Sequence, residues 1–171
     1  MMAIKNLVIG ALLSLMVGEA TAQEFKFGSI TVTVPWSRAT PKGAAVAAGF
    51  MVVHNSGSSA DRLLGGESDA AKEVQVHEMA MDNQVMKMRQ LTAGLEIPAG
   101  ATVELKPGGY HLMLMGLAKP LAENDRYKIT LNFERAGKVI VDFKVGSVGG
   151  PSPMATQSNP GMNHHMHPTG Q

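Results

Sequence analysis

Tyr110-His111-Leu112-Met113-Leu114-Met115 changes character at every residue. Side chains of an extended chain point alternately to opposite faces, so Leu112 and Leu114 share one face while His111, Met113 and Met115 share the other. Val74-Gln75-Val76-His77-Glu78-Met79 repeats the pattern, with its valines on one side and His77 and Met79 opposite. In Val85-Met86-Lys87-Met88-Arg89, Met86 and Met88 again fall together. A period of two in three separate segments predicts strands whose aliphatic side enters a core and whose other side carries histidine and methionine.

Outward from these segments the same texture continues: short apolar or alternating runs, turn residues between them, and no long stretch at helical period. The expected strands are Ile30 to Val34, Gly49 to His54, Arg62 to Leu64, Val74 to Met79, Gln84 to Met88, Ala101 to Leu105, His111 to Leu117, Tyr127 to Phe133 and Lys138 to Val145. Asn55-Ser56-Gly57, Met81-Asp82-Asn83, Pro98-Ala99-Gly100 and Pro107-Gly108-Gly109 supply the turns. Ala118 to Asp125, containing Pro120, reads as a loop with a helical turn. The fold class is all-β, and the strand spacing suits a sandwich.

The 171 residues suffice for one compact domain with appendages. Residues 1–22 read as an export signal: Lys5, an apolar run from Leu7 to Val17, and Ala20-Thr21-Ala22 as a peptidase site, with cleavage after Ala22. The domain then spans 23–145. From Gly146 to Gln171 the chain turns to Gly, Pro, Ser, Asn, Met and His, without the apolar runs needed to join a core, and is expected to be a disordered tail. A formal charge of +1 carries no footprint for nucleic acid or an anionic membrane.

Six His and 13 Met stand beside no Cys. A strand methionine is ordinarily core filler and a lone histidine ordinarily a hydrogen-bonded boundary residue. Here, however, the two types recur together on the face away from the valines and leucines, twice as His-x-Met. Imidazole and thioether donors, with neither thiolate nor converging carboxylates, suit a soft, low-valent ion better than structural zinc or calcium. Cu(I) is the expected occupant. Absence of thiols also fits an oxidising compartment.

The run from His77 through Met88 to His111 and Met113 resembles the periplasmic copper chaperones of the PCuAC family. So do Leu95-Glu96-Ile97-Pro98-Ala99-Gly100 and Leu105 to Leu117, with Val34 to Thr40, Gly49 to Asn55 and Asp61 to Leu64 upstream. The resemblance implies a cupredoxin-like, Greek-key β-sandwich with one Cu(I) held by His77, Met88, His111 and Met113, in the periplasm. It further implies delivery of copper to the copper A centre of cytochrome oxidase, with the oxidase copper subunit or another copper chaperone as transient partner. Copper scavenging or tolerance without a dedicated client is the alternative. Met79, Met86 and Met115 lie two residues from proposed ligands and are candidate substitutes.

In the tail, Met162, His164, His165, Met166 and His167 form a dense cluster expected to accept Cu(II). His54, before a turn, is read as solvated or turn-bonded; Trp36 and Arg38 are read as packing and pairing residues. An enzyme is not expected: a blue-copper site requires a thiolate, four protein ligands leave no open position for catalysis, and no nucleophile-elbow pattern occurs. A plain adhesion module would leave the His-x-Met pairs unexplained.

Overall fold

The computed structural model describes residues 23–83 and 85–150. The expected export signal, Gln84 and the His/Met cluster of the tail lie outside these residues. Among the described residues there are eleven strands and no helix: β1 (Glu24–Phe27), β2 (Ile30–Arg38), β3 (Val46–Asn55), β4 (Asp61–Ser68), β5 (Ala71–Asp82), β6 (Val85–Gln90), β7 (Leu95–Ile97), β8 (Thr102–Leu105), β9 (Tyr110–Leu117), β10 (Arg126–Phe133) and β11 (Gly137–Gly146). The all-β expectation holds.

The strands β5, β9, β3, β2, β11, β10 and β4 pair in that order, and β4 returns to β5, so the sheet closes on itself as a sandwich. Closure pairs the backbone groups that an open edge would leave exposed. Inside lies one core, with Ile30, Val32, Met51, Leu63, Leu112, Leu131 and Phe143 all but inaccessible to water. Val74 and Val76 enter this core from β5, as do Leu112 and Leu114 from β9, which leaves the His/Met sides of both strands outside.

β5 is longer than its neighbours and serves two partners on one edge. Its first half pairs with β4 through Ala71 and Val74, and its second half, His77 to Asp82, pairs with β6. The hairpin of β5 and β6 therefore projects beyond the closed part, and every residue of β6 is exposed. A bulge in β2 between Thr33 and Trp36, where Val34 takes a φ of 50°, resets the alternation. Ile30 and Val32 point into the core, whereas Trp36 stacks on Phe50 with ring centroids 4.7 Å apart on the outer side.

Two strands went unanticipated, β1 and β7, and β2 runs through Pro35 to Arg38 where an end at Val34 was expected. Ala118 to Asp125 contains bends and a turn, with Asn124 at a φ of 69°, and the expected helical turn is absent. The sheet also includes Gly146, which pairs with Arg38, so β11 reaches the first residue assigned to the tail.

Candidate metal centre

Register brings the two histidine segments together. β5 and β9 run antiparallel with His77 opposite His111, Gln75 opposite Met113 and Glu73 opposite Met115. On its other edge β5 sets Met79 opposite Met88 and Met81 opposite Met86. Directly opposed residues share a face. Thus Gln75, His77, Met79 and Met81 of β5, His111, Met113 and Met115 of β9, and Met86 and Met88 of β6 make one outer His/Met field.

Its centre is the pair of imidazoles, with ring centroids 5.8 Å apart and a tilt of 44°. His111 is only 4% exposed although it lies on the outer face. His77 and Met88 flank it, and the register of β3 against β9, Gly49 opposite Leu112, carries Phe50 alongside. The Trp36–Phe50 stack then forms an apolar wall, with the Arg38 guanidinium 5.7 Å from the indole centroid. The packing reading of Trp36 and Arg38 agrees with this placement.

Hydrogen bonds fix which nitrogen of each ring carries its lone pair. His111 Nδ1 lies 3.0 Å from the Gly109 carbonyl, which can only accept; Nδ1–H donates, and neutral Nε2 holds the lone pair. That Nε2 stands 3.3 Å from Met88 Sδ. In the neutral ring, Nε2 and the thioether sulfur each offer a lone pair and lie side by side. His77 Nε2 lies 2.9 Å from Gln75 Oε1, and Gln75 is oriented in turn because its amide nitrogen donates to Glu73 at 2.8 Å. Nε2–H of His77 therefore donates, which leaves Nδ1 as the lone-pair nitrogen, buried and without a partner. Rings at this separation can both reach one ion at nitrogen–metal distances of about 2 Å.

Burial, and secondarily the neighbouring His111, pushes the His77 pKa below its ordinary 6.5. Both influences favour the neutral ring, the form that ligates. Met113 occupies the next rung of β9, half-buried on the same face. Among the described residues no group of three or more His, Asp or Glu side chains converges. His54 bonds Thr102 Oγ1 at 3.0 Å, across the β3–β8 pair and not within the Asn55-Ser56-Gly57 turn, and takes no part in this field.

Of the four residues expected as ligands, the structure brings His77, Met88 and His111 together and sets Met113 on the next rung; sequence reasoning missed Gln75, Glu73 and Gly109, which set the tautomers. Glu73, Gln75 and His77 recur at intervals of two, and that alternation was the available signal. Surface clefts include one edged by Met79, Thr102, Glu104 and Lys106, which borders the field at Met79, and one edged by Phe27, Ser58, Asp61 and Arg135, which lies elsewhere.

A closed β-sandwich with an outer His/Met field defines a PCuAC-type domain. The copper-bound PCuAC domain from PmoF2 superimposes with a TM-score of 0.63 at 30% identity, covering 73% of this chain and 98% of that one. The Cu(I) form of DR1885 from Deinococcus radiodurans gives a TM-score of 0.53 at 27% identity, over 76% and 85% of the two chains. The chain belongs to the LpqE-like lipoprotein family, which it matches over residues 30–145. It is 38% identical over 104 residues to the lipoprotein-family protein Lxx21020 of Leifsonia xyli subsp. xyli, 61% of each chain. To RP573 of Rickettsia prowazekii it is 27% identical over 116 residues, 66% of this chain and 64% of that one. The matches thus span less than two thirds of either relative's length.

Proposed function

We propose that this protein binds one Cu(I) through His77, Met88, His111 and Met113 and passes it on, as an exported copper chaperone rather than an enzyme. The observation that carries the reading is the approach of His111 Nε2 to Met88 Sδ at 3.3 Å while Nδ1 of the same ring is taken by the Gly109 carbonyl, with a buried, partnerless Nδ1 on the neighbouring His77 ring. In an apo site such an arrangement leaves donor capacity unspent, which a soft cation satisfies. Copper in the PmoF2 domain and Cu(I) in DR1885 support the same cargo here. The lipoprotein relatives support export, and no helix among the described residues is long and apolar enough to cross a membrane.

Delivery to the copper A centre of cytochrome oxidase follows from the family resemblance, with scavenging as the alternative. X-ray absorption on the Cu(I)-loaded chain should give mixed sulfur and nitrogen ligation, and His111→Ala with Met113→Leu should abolish tight binding while circular dichroism stays unchanged. Undiminished affinity in that variant sinks the ligand assignment. For the client, a deletion strain starved of copper should lose oxidase activity; a strain that keeps the oxidase but becomes copper-sensitive points to scavenging.

A further inference from the structure

The β5–β6 hairpin holds three methionines that the four-ligand site does not use, and their placement is unlike that of core filler. Met81 is 68% exposed and Met86 46%, opposite each other in the outermost rung of the outer field. Met79 follows one rung inward, opposite Met88. Burial cannot account for Met81 and Met86, because each exposed thioether leaves apolar surface in water without a packing return, and Met79 beside them is only half-buried.

The geometry suits coordination. Cross-strand partners have Cβ atoms about 5 Å apart, and successive same-face rungs are separated by about 7 Å, within the span of flexible thioether arms. The hairpin's charges fall on its other face and are already paired, Lys87 with Asp82 at 2.6 Å and Arg89 with Glu78 at 2.7 Å. No ammonium or guanidinium is left unpaired there to repel a cation. Exposure also falls along the field from Met81 through Met88, 49% exposed, to His111 at 4%. Met88 links the two ends, since it shares a rung with Met79 while its sulfur reaches His111.

We propose that Met79, Met81 and Met86 form a second, sulfur-only site for a soft monovalent cation, through which the ion enters and leaves the His77/His111 site. Its role as a port rests on the copper-binding reading above; its existence does not. Three thioethers without imidazole bind less tightly than the mixed set, which is what an exchange position requires. The ion stays Cu(I) throughout, so no electron changes hands. Each step exchanges one ligand at a time, first thioether for thioether at the shared Met88 and then thioether for the imidazoles of His77 and His111.

The test uses the full chain with methionine methyls labelled with carbon-13 and titrated with Ag(I), an air-stable soft monovalent probe. The first equivalent should shift Met88 and the His77 and His111 rings; further Ag(I) should shift the Met79, Met81 and Met86 methyls together. Met162 and Met166 report tail binding through their own signals. In Met81→Leu/Met86→Leu the later shift of Met79 should vanish while the first equivalent remains, and Cu(I) release to a chromophoric chelator should slow several-fold. The proposal is overturned if the three methyls stay still under excess Ag(I), if Met79 shifts unchanged in the double variant, or if release keeps its rate. A first equivalent that leaves Met88 and both rings unmoved contradicts the four-ligand site instead, so the two failures are distinct. Both replaced side chains are exposed and leucine keeps their bulk, so the hairpin should remain folded.

Discussion

A neutral imidazole has one lone pair, and the hydrogen bond at the other nitrogen decides where it resides. At His77 that decision falls to Gln75, itself held by Glu73. Gln75→Leu removes the acceptor and frees the ring to rotate and change tautomer, so Cu(I) affinity should drop about ten- to hundred-fold, the usual cost of losing such a supporting partner. Competition with a Cu(I) chelator measures this, and an unchanged constant would show the ring to be oriented by packing alone. The histidine's acidity gives a second expectation. Because burial and His111 lower its folded pKa below 6.5, the unfolded chain takes up the proton first as pH falls. Stability of the apo protein is therefore full above about 6.5 and declines through the interval between that value and the lower folded pKa. Proton NMR should place the His77 midpoint under 6.5, and His111→Asn should move it only part of the way back, since burial is the larger cause. Period-two alternation placed His77, Met79, Met86, Met88, His111, Met113 and Met115 on shared faces, and the choice of His77, Met88, His111 and Met113 among them came from the family resemblance. The role of Gln75 was not legible, because alternation assigns a face but says nothing of which side chains on it will hydrogen-bond.

Strand pairing explains why some elements were legible and others were not. β5 and β9 announced themselves through repeated aliphatic positions, whereas β7 has three residues, Leu95 and Ile97 buried around exposed Glu96, too few for a periodic signal. β2 was cut short at Val34 because proline ordinarily ends a strand; a bulge with a left-handed Val34 lets the chain continue and turns Trp36 outward. The Gly65-Gly66 pair in β4 has a comparable structural role that sequence alone does not reveal. A Cβ at Gly66 would lie 2.9 Å from the Thr130 carbonyl oxygen of β10 and 2.9 Å from Ile129 Cγ2. The carbonyl belongs to the ladder and cannot yield without breaking it. Gly66→Ala should therefore lower stability by about 1–3 kcal/mol, the range for overpacking in a tight interior. Chemical denaturation checks this, and a loss below a few tenths of a kcal/mol would mean that β4 and β10 separate at little cost. The same variant should keep its Cu(I) affinity, because the clash falls on Ile129 and Thr130 of β10, and Val74, opposite Gly66 on β5, enters the core and not the His/Met field.

For the whole molecule, the question is how the proposed Cu(I) site would be loaded from copper that arrives oxidised. The sequence beyond β11 offers an answer: Met162, His164, His165, Met166 and His167 close a Gly/Pro/Ser-rich stretch. Imidazoles on such a chain accept Cu(II), for which nitrogen-rich tetragonal sets are preferred. The cluster lies outside the described residues; a flexible chain of about twenty residues has a root-mean-square reach of roughly 25 Å, the distance over which such a tether would bring it to β5, β6 and β9. Tethering makes transfer intramolecular, at an effective concentration on the order of a millimolar. Cu(II) held there and then reduced by an external one-electron donor would move to the thioether and imidazole donors of the domain. Truncation after Val148 should accordingly remove the Cu(II) signal in electron paramagnetic resonance while leaving the Cu(I) constant of the domain nearly unchanged. Loading of the domain from Cu(II) plus a mild reductant should slow in the truncated chain, yet loading from preformed Cu(I) should not. If the truncated protein retains as much Cu(II) as the full chain, the tail has no part in capture, and the domain must receive its copper already reduced.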